Sequence, residues 1–212
     1  MDAGRELAHA ADVLAAGGVV VYPTETLYAL GCRSDDADAA ARLVAAKARP
    51  SAKPLPLVAA DRRQVDDILD HTPPDMDRLA RAFWPGPLSI LVPSRLGVCP
   101  QARDPLGLTS VRITSHRLAA RLCSMVGAPL VATSANASGK VPAARPAELD
   151  PALLERVDAA VLCPPLPAGG DPSTVVRPLG GLRLEVLRHG AVPAAALKSA
   201  GFTLVRPRHP LP

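Results

Sequence analysis

Residues 17–26 read Gly-Gly-Val-Val-Val-Tyr-Pro-Thr-Glu-Thr, and this stretch decides the class of fold. Val19 to Tyr22 form a β-branched run too continuous for a strand with one wet face, so the strand is expected to be covered on both sides. Upstream, residues 3–16 set Leu7, Ala10, Ala11 and Leu14 on one face at helical spacing, and Gly17-Gly18 stop that helix. Downstream, Pro23 to Thr26 carry the chain out of the strand in a polar segment. A helix, a buried strand and a polar exit in direct succession are the unit of an α/β domain.

The same alternation continues along the chain. Helical spacing predicts helices over 36–48, 63–69, 75–83 and 116–126, with Pro50 ending the first of these. Apolar runs at 55–59, 88–92, 109–113, 130–133, 159–162, 173–176 and 184–187 predict strands. Trp84-Pro85-Gly86-Pro87 reads as a rigid packed turn. No internal repeat and no interdomain linker are visible. We therefore expect a single domain over 1–197, followed by a basic, proline-rich tail over 198–212 that is partly ordered or frayed.

At 212 residues the chain can bury a core without covalent staples. Apolar residues make up 48%, but there are only one Trp, two Tyr and two Phe, so that core must be built from Ala, Val and Leu. The net charge of +4 falls short of a dedicated nucleic-acid stripe and suits an anionic small molecule equally well. Cys32, Cys99, Cys123 and Cys163 lie far apart without zinc-ligand spacing and read as reduced, mostly buried thiols; no metal site is expected. No apolar run approaches the ~20 residues of a membrane span, so the protein is expected in the cytoplasm.

Three polar segments leave strands: YPTETLYALG at 22–31, the stretch from Lys47 to Lys53, and ATSANASGK at 132–140. Loops at strand ends are where open α/β sheets bind ligands. Lys47, Arg49 and Lys53 cluster around one predicted helix end, where Arg offers a planar fork and Lys a movable charge to phosphates. Spacing alone also allows ordinary readings: helix-end cations for Lys47 and Arg49, and caps or turns for Thr24, Thr26, Ser134 and Ser138. Several mechanisms are excluded. Gly139-Lys140 lacks the upstream glycine of a P-loop, no Gly-x-Ser-x-Gly elbow is present, and no glycine-rich dinucleotide fingerprint follows the first strand.

Taken in order, these segments resemble the YrdC-like family of threonylcarbamoyl-AMP synthases, across most of residues 5–193. YPTETLYALG resembles the family's Pro-Thr-(Asp/Glu)-Thr-x-Tyr-Gly-Leu-Gly. KARPSAKPLP resembles its Lys-x-Arg-Pro segment, and FWPGPLSILVP, SVRI, TSANASG, PSTVV and VLRHG follow in the family's order. The resemblance implies an α/β fold, α+β-like, in which a strongly twisted mixed sheet with flanking helices curves around a basic concave cavity. It also implies a reaction. Threonine takes up CO₂ from bicarbonate, and the resulting N-carboxylate attacks the ATP α-phosphate, giving threonylcarbamoyl-AMP and pyrophosphate.

By the same resemblance, Lys47 and Arg49 are the catalytic cations. Lys47, Arg49, Lys53, Asn136 and Arg188 form the nucleotide site, and Thr26, Arg112, Ser134 and Ser173 hold threonine. Magnesium is expected to ride on the ATP phosphates. Further implied partners are threonylcarbamoyl-transferring proteins and a weakly bound tRNA. The chain departs from the family in places. Ala29 stands where Gly is usual, implying ordinary backbone angles or a methyl accommodated by a small shift. Thr114 stands where proline is common, and Thr109 aligns too poorly to be assigned. The chain ends too soon for the long form's extra domain, so the short form is expected. Two rivals remain: a structured-RNA-binding module without catalysis, marked by steep salt dependence, and a domain handling other carbamoyl-adenylates.

Overall fold

The computed structural model describes residues 3–47, 53–136 and 140–205. Helix α1 (Ala3–Ala15) buries Leu7, Ala10, Ala11 and Leu14, the face that its spacing selects. Gly17, at φ +80°, turns the chain out of the helix through a left-handed conformation that side chains resist. Strand β1 (Val20–Pro23) follows, with all four residues buried as its unbroken apolar run requires.

The chain then reverses. The Thr24 hydroxyl donates to the Leu27 carbonyl at 2.7 Å, closing a short turn into β2 (Tyr28–Gly31). The two strands pair antiparallel, from Val20 with Gly31 to Pro23 with Tyr28. The sequence reading left Tyr28 to Gly31 inside a polar exit segment; they form a fully buried strand, stabilised by pairing rather than by intrinsic β preference. Ala29 lies within this strand and is buried there, paired with Tyr22 on one side and Ser134 on the other.

Helix α2 (Ala37–Ala46) is capped by Asp36, whose carboxylate accepts the Ala39 N–H at 2.8 Å. Strand β3 (Leu57–Ala59) leads to helix α3 (Arg62–Ile68) and helix α4 (Met76–Phe83). Strands β4 (Leu88–Pro93) and β5 (Leu108–Ile113) precede helix α5 (Arg117–Val126). Two short strands, β6 (Leu130–Val131) and β7 (Thr133–Ser134), then carry the chain from one sheet to the other. Helix α6 (Pro151–Leu154), a short helix that the sequence reading did not anticipate, is followed by the expected strands β8 (Ala159–Ala160), β9 (Thr174–Pro178) and β10 (Arg183–Arg188). Beyond them come helix α7 (Ala194–Ser199) and strand β11 (Thr203–Val205).

The strands form two mixed sheets rather than one. Their orders are β7-β2-β1-β8 and β11-β10-β9-β4-β5-β3-β6. Within the larger sheet β4 pairs antiparallel with β5 and parallel with β9. One apolar cluster joins Val21, Tyr28 and Leu30 of the small sheet, with Val19 just before it, to Leu57, Ile90, Val111, Val176 and Leu184 of the large one. A second packs α1 and α5, through Leu7, Leu14, Leu118 and Leu122, against Val20, Tyr22 and Val58.

The expected boundary at 197/198 is corrected. Phe202 is buried, and β11 pairs parallel with β10, Arg183 with Thr203 through Glu185 with Val205. The fold thus runs at least to Val205. Proline and basic residues beyond it masked a three-residue edge strand that has no periodicity of its own. Among the described residues no helix is long and apolar enough to cross a membrane.

Candidate functional site

Strand alternation separates two faces of the larger sheet. Val111 and Ile113 enter the core, so Arg112 between them points to the opposite face. On β4, Ile90 is in the core and Ser89 takes the other side. Polar side chains on this second face meet residues delivered by loops from both sheets.

The first group is built on Arg112. Its Nε donates to Glu25 Oε1 at 2.6 Å, and the two side chains are only 5% and 10% exposed. The Thr114 hydroxyl donates to Glu25 Oε2 at 2.5 Å and accepts the His116 N–H at 3.1 Å. Burial by itself would raise the Glu25 carboxyl. The Arg112 charge and the Thr114 hydrogen bond outweigh it and hold the group below its ordinary value. Glu25 is therefore an ionised acceptor committed to two donors, not a free base. His116 is buried, with Nε2 3.1 Å from the Pro165 carbonyl, and desolvation lowers its pKa, so the ring is neutral near pH ~7.

The second group joins Ser89, Ser173 and Arg188. Ser173 Oγ lies 3.1 Å from Ser89 Oγ, and Arg188 Nη2 donates to Ser173 Oγ and to its carbonyl, both at 2.8 Å. The approach of these segments explains the glycine of VLRHG. A Cβ on Gly190 would lie 2.1 Å from the Pro172 carbonyl, so only glycine lets residues 188–191 lie against 172–173. Ala191 N–H then donates to that carbonyl at 2.9 Å.

The third group surrounds the α2 C-terminus. Lys47 is 4% exposed; its Nζ donates to Thr133 Oγ1 at 3.2 Å and to the Ser134 carbonyl, with Ser134 Oγ at 3.4 Å. Asn136 Nδ2 donates to the Lys140 carbonyl. Ser134 is positioned by pairing with Ala29 across β7 and β2. Thr26 is buried in the turn between β1 and β2, and its carbonyl accepts the Gly169 N–H at 2.8 Å.

The structure thus binds Lys47 to Ser134, and Ser173 to Arg188, and sets Glu25 beside Thr26 in the loop that reaches Arg112. Lys53 is exposed, and Arg49 lies outside the described residues. Sequence reading assigned Ser173 to one ligand and Arg188 to another; they form one hydrogen-bonded unit. It missed Glu25, Ser89, Thr114 and Thr133. Glu25 stood inside a quoted motif, yet nothing local signals a partner 87 residues away. Thr109, left unassigned, is fully buried on the Val111 face, away from Arg112.

Chemically, these groups offer cations and hydroxyls to anions and offer no thiolate, since burial pushes Cys123 up to about 12 and raises Cys32, Cys99 and Cys163 as well. Among the described residues no group of three or more His, Cys, Asp or Glu could hold a metal ion. A separate recess of about 300 Å³ is lined by residues including Asp35, Asp67 and Arg95, and contains none of the groups above.

Comparison with known proteins points to one family. The model of the Sua5/YciO/YrdC family, described as "Telomere recombination", matches residues 12–190. A Halorhodospira halophila protein named threonylcarbamoyl-AMP synthase is 42% identical over 153 residues, covering 72% of this chain and 80% of its own. A Methylococcus capsulatus protein of the same name is 41% identical over 146 residues, covering 69% and 78%. The crystal structure of P. abyssi Sua5 complexed with L-threonine superposes with a TM-score of 0.85 at 26% identity. That match covers 97% of this chain and 60% of the P. abyssi one, so the present chain spans about three fifths of that protein.

Proposed function

Because this chain belongs to the Sua5/YciO/YrdC family, we infer that it is a threonylcarbamoyl-AMP synthase, an enzyme that activates threonine for tRNA modification. What supports the reading is the chemistry of these groups: the buried cations Lys47 and Arg112 and the exposed Arg188 are each hydrogen-bonded to hydroxyl or carboxylate partners, and among the described residues none of those partners is an activated nucleophile. Such a site suits a reaction whose nucleophile arrives with the substrate.

In the proposed reaction the threonine amine adds to CO₂ and loses a proton, giving an N-carboxylate. One carboxylate oxygen bonds to the ATP α-phosphorus while the bond to the bridging oxygen breaks and pyrophosphate departs. The step is thus a nucleotidyl transfer. Two anions must be held together in line, so the enzyme contributes positioning and charge neutralisation. In this reading Lys47 and Arg49 neutralise the phosphates, aided by Lys53, Asn136 and Arg188. Arg112 meets the threonine carboxylate with donors other than Nε, by charge-assisted hydrogen bonds. Thr26, Ser134 and Ser173 orient the amino acid.

Magnesium enters with ATP as its counter-ion and is written as part of that substrate. The product would pass to transfer proteins acting on tRNA, and the working compartment on this reading is the cytoplasm. Purified protein given ATP, bicarbonate and magnesium is expected to release pyrophosphate only when threonine is added. Release that ignores threonine rejects the reading.

A further inference from the structure

Arg112 can recognise a planar carboxylate only if its own guanidinium plane is fixed, and a long side chain held at one atom is not fixed by that atom alone. The plane is set by whatever orients the Glu25 carboxylate opposite Nε. One Glu25 oxygen is held by Arg112, and the other by the Thr114 hydroxyl at 2.5 Å.

The direction of the Thr114 bond is forced. Glu25 is ionised and can only accept, while the His116 backbone N–H can only donate, and it reaches Thr114 Oγ1 at 3.1 Å. The Thr114 proton must therefore point at Glu25 Oε2. A one-way series results, from His116 N–H through the Thr114 hydroxyl to Glu25, whose second oxygen receives Arg112 Nε. Both ends are anchored. Thr114 N–H donates to the Ala59 carbonyl at 3.1 Å, tying the residue to β3, and His116 opens α5. Thr114 is 2% exposed, so water does not replace the hydroxyl without local rearrangement. Valine has the same shape and no hydroxyl.

We propose that Thr114 is a positioning residue for threonine: its hydroxyl locks the Glu25 carboxylate, which fixes the plane in which Arg112 meets the amino-acid carboxylate. The inference rests on the synthase reading and deepens it. The Thr114 hydroxyl is engaged by Glu25 and the His116 N–H, so it acts through Arg112. Its loss should act on threonine and spare ATP, whose phosphates are assigned to Lys47, Arg49 and Arg188. A merely structural residue would weaken both.

The test is pyrophosphate release by Thr114→Val and Thr114→Ser, with threonine and ATP each varied at saturation of the other, beside melting curves of every variant. Thr114→Val is expected to raise the threonine KM about tenfold, the scale of one hydrogen bond, with the ATP KM within about twofold of wild type. Thr114→Ser keeps the hydroxyl and is expected to restore the threonine KM to within about twofold. An unchanged threonine KM in Thr114→Val, an equal rise for both substrates, or a serine variant as impaired as the valine one overturns the proposal. If Thr114→Val does not fold, Glu25→Asp decides: its shortened carboxylate cannot span both donors, and a threonine KM like wild type overturns the inference. Wild-type release independent of threonine instead rejects the synthase reading, and the inference falls with it.

Discussion

Replacing Glu25 by Gln perturbs the most deeply buried ion pair of the site while keeping its shape. The glutamine oxygen still accepts from Arg112 Nε. Its amide faces Thr114, whose oxygen can accept a second hydrogen. What is lost is the negative charge beside a guanidinium that is only 5% exposed. Removing one member of a buried pair costs about 3–5 kcal/mol, because the remaining charge is left uncompensated. With the hydrogen bonds kept, we expect the lower end, about 3 kcal/mol. For a chain of this length about 1 kcal/mol shifts Tm by roughly 2–4 °C, so the variant should melt roughly 6–12 °C lower near pH ~7.

The pH dependence follows from the sign of the shift. Glu25 has a lowered pKa in the folded state. Its contribution is therefore fully present above the unfolded value of about 4.3 and is lost as pH falls through the folded value. The gap between wild type and Glu25→Gln should be flat from pH ~8 to ~5.5 and narrow below that. Thermal unfolding followed by circular dichroism across this range is the assay. A gap under about 2 °C near neutrality, or one that persists unchanged at the acid end, refutes the reasoning.

Three further outcomes are expected. Lys47→Met keeps the buried stem but removes the charge, and should lower kcat/KM for ATP at least ~100-fold, the scale of one preorganised electrostatic contact, with Tm as the folding control. Gly190→Ala should push residues 188–191 off the Pro172 carbonyl and displace Arg188 from Ser173; both substrate KM values should rise, and steady-state kinetics check this. All four cysteines are free and buried with raised pKa values, so a thiol reagent near neutral pH should label essentially none in the native protein and four after denaturation.

Local chemistry determined much of this protein from sequence alone. Helix α1 and strand β1 were legible because a 3.6-residue apolar period and an unbroken β-branched run each have one economical burial. The class of fold followed; Lys47, Arg112, Ser134 and Ser173 were expected at the site through the resemblance to a known family, not through local chemistry. Tyr28 to Gly31 and Thr203 to Val205 were not legible as strands, because each is stabilised by a neighbour already in place rather than by its own pattern.

Tertiary structure alone decided which members touch. Glu25 and Arg112 are 87 residues apart, and Glu25 and Thr114 are 89. Pairing across such separations depends on sheet register and on the turn after β1, neither of which leaves a periodic trace in the chain. For the same reason Ser173 and Arg188 became one unit only when Gly190 allowed two backbones to meet. Sequence specifies the chemical groups through local propensity; their partnerships arise from long-range packing.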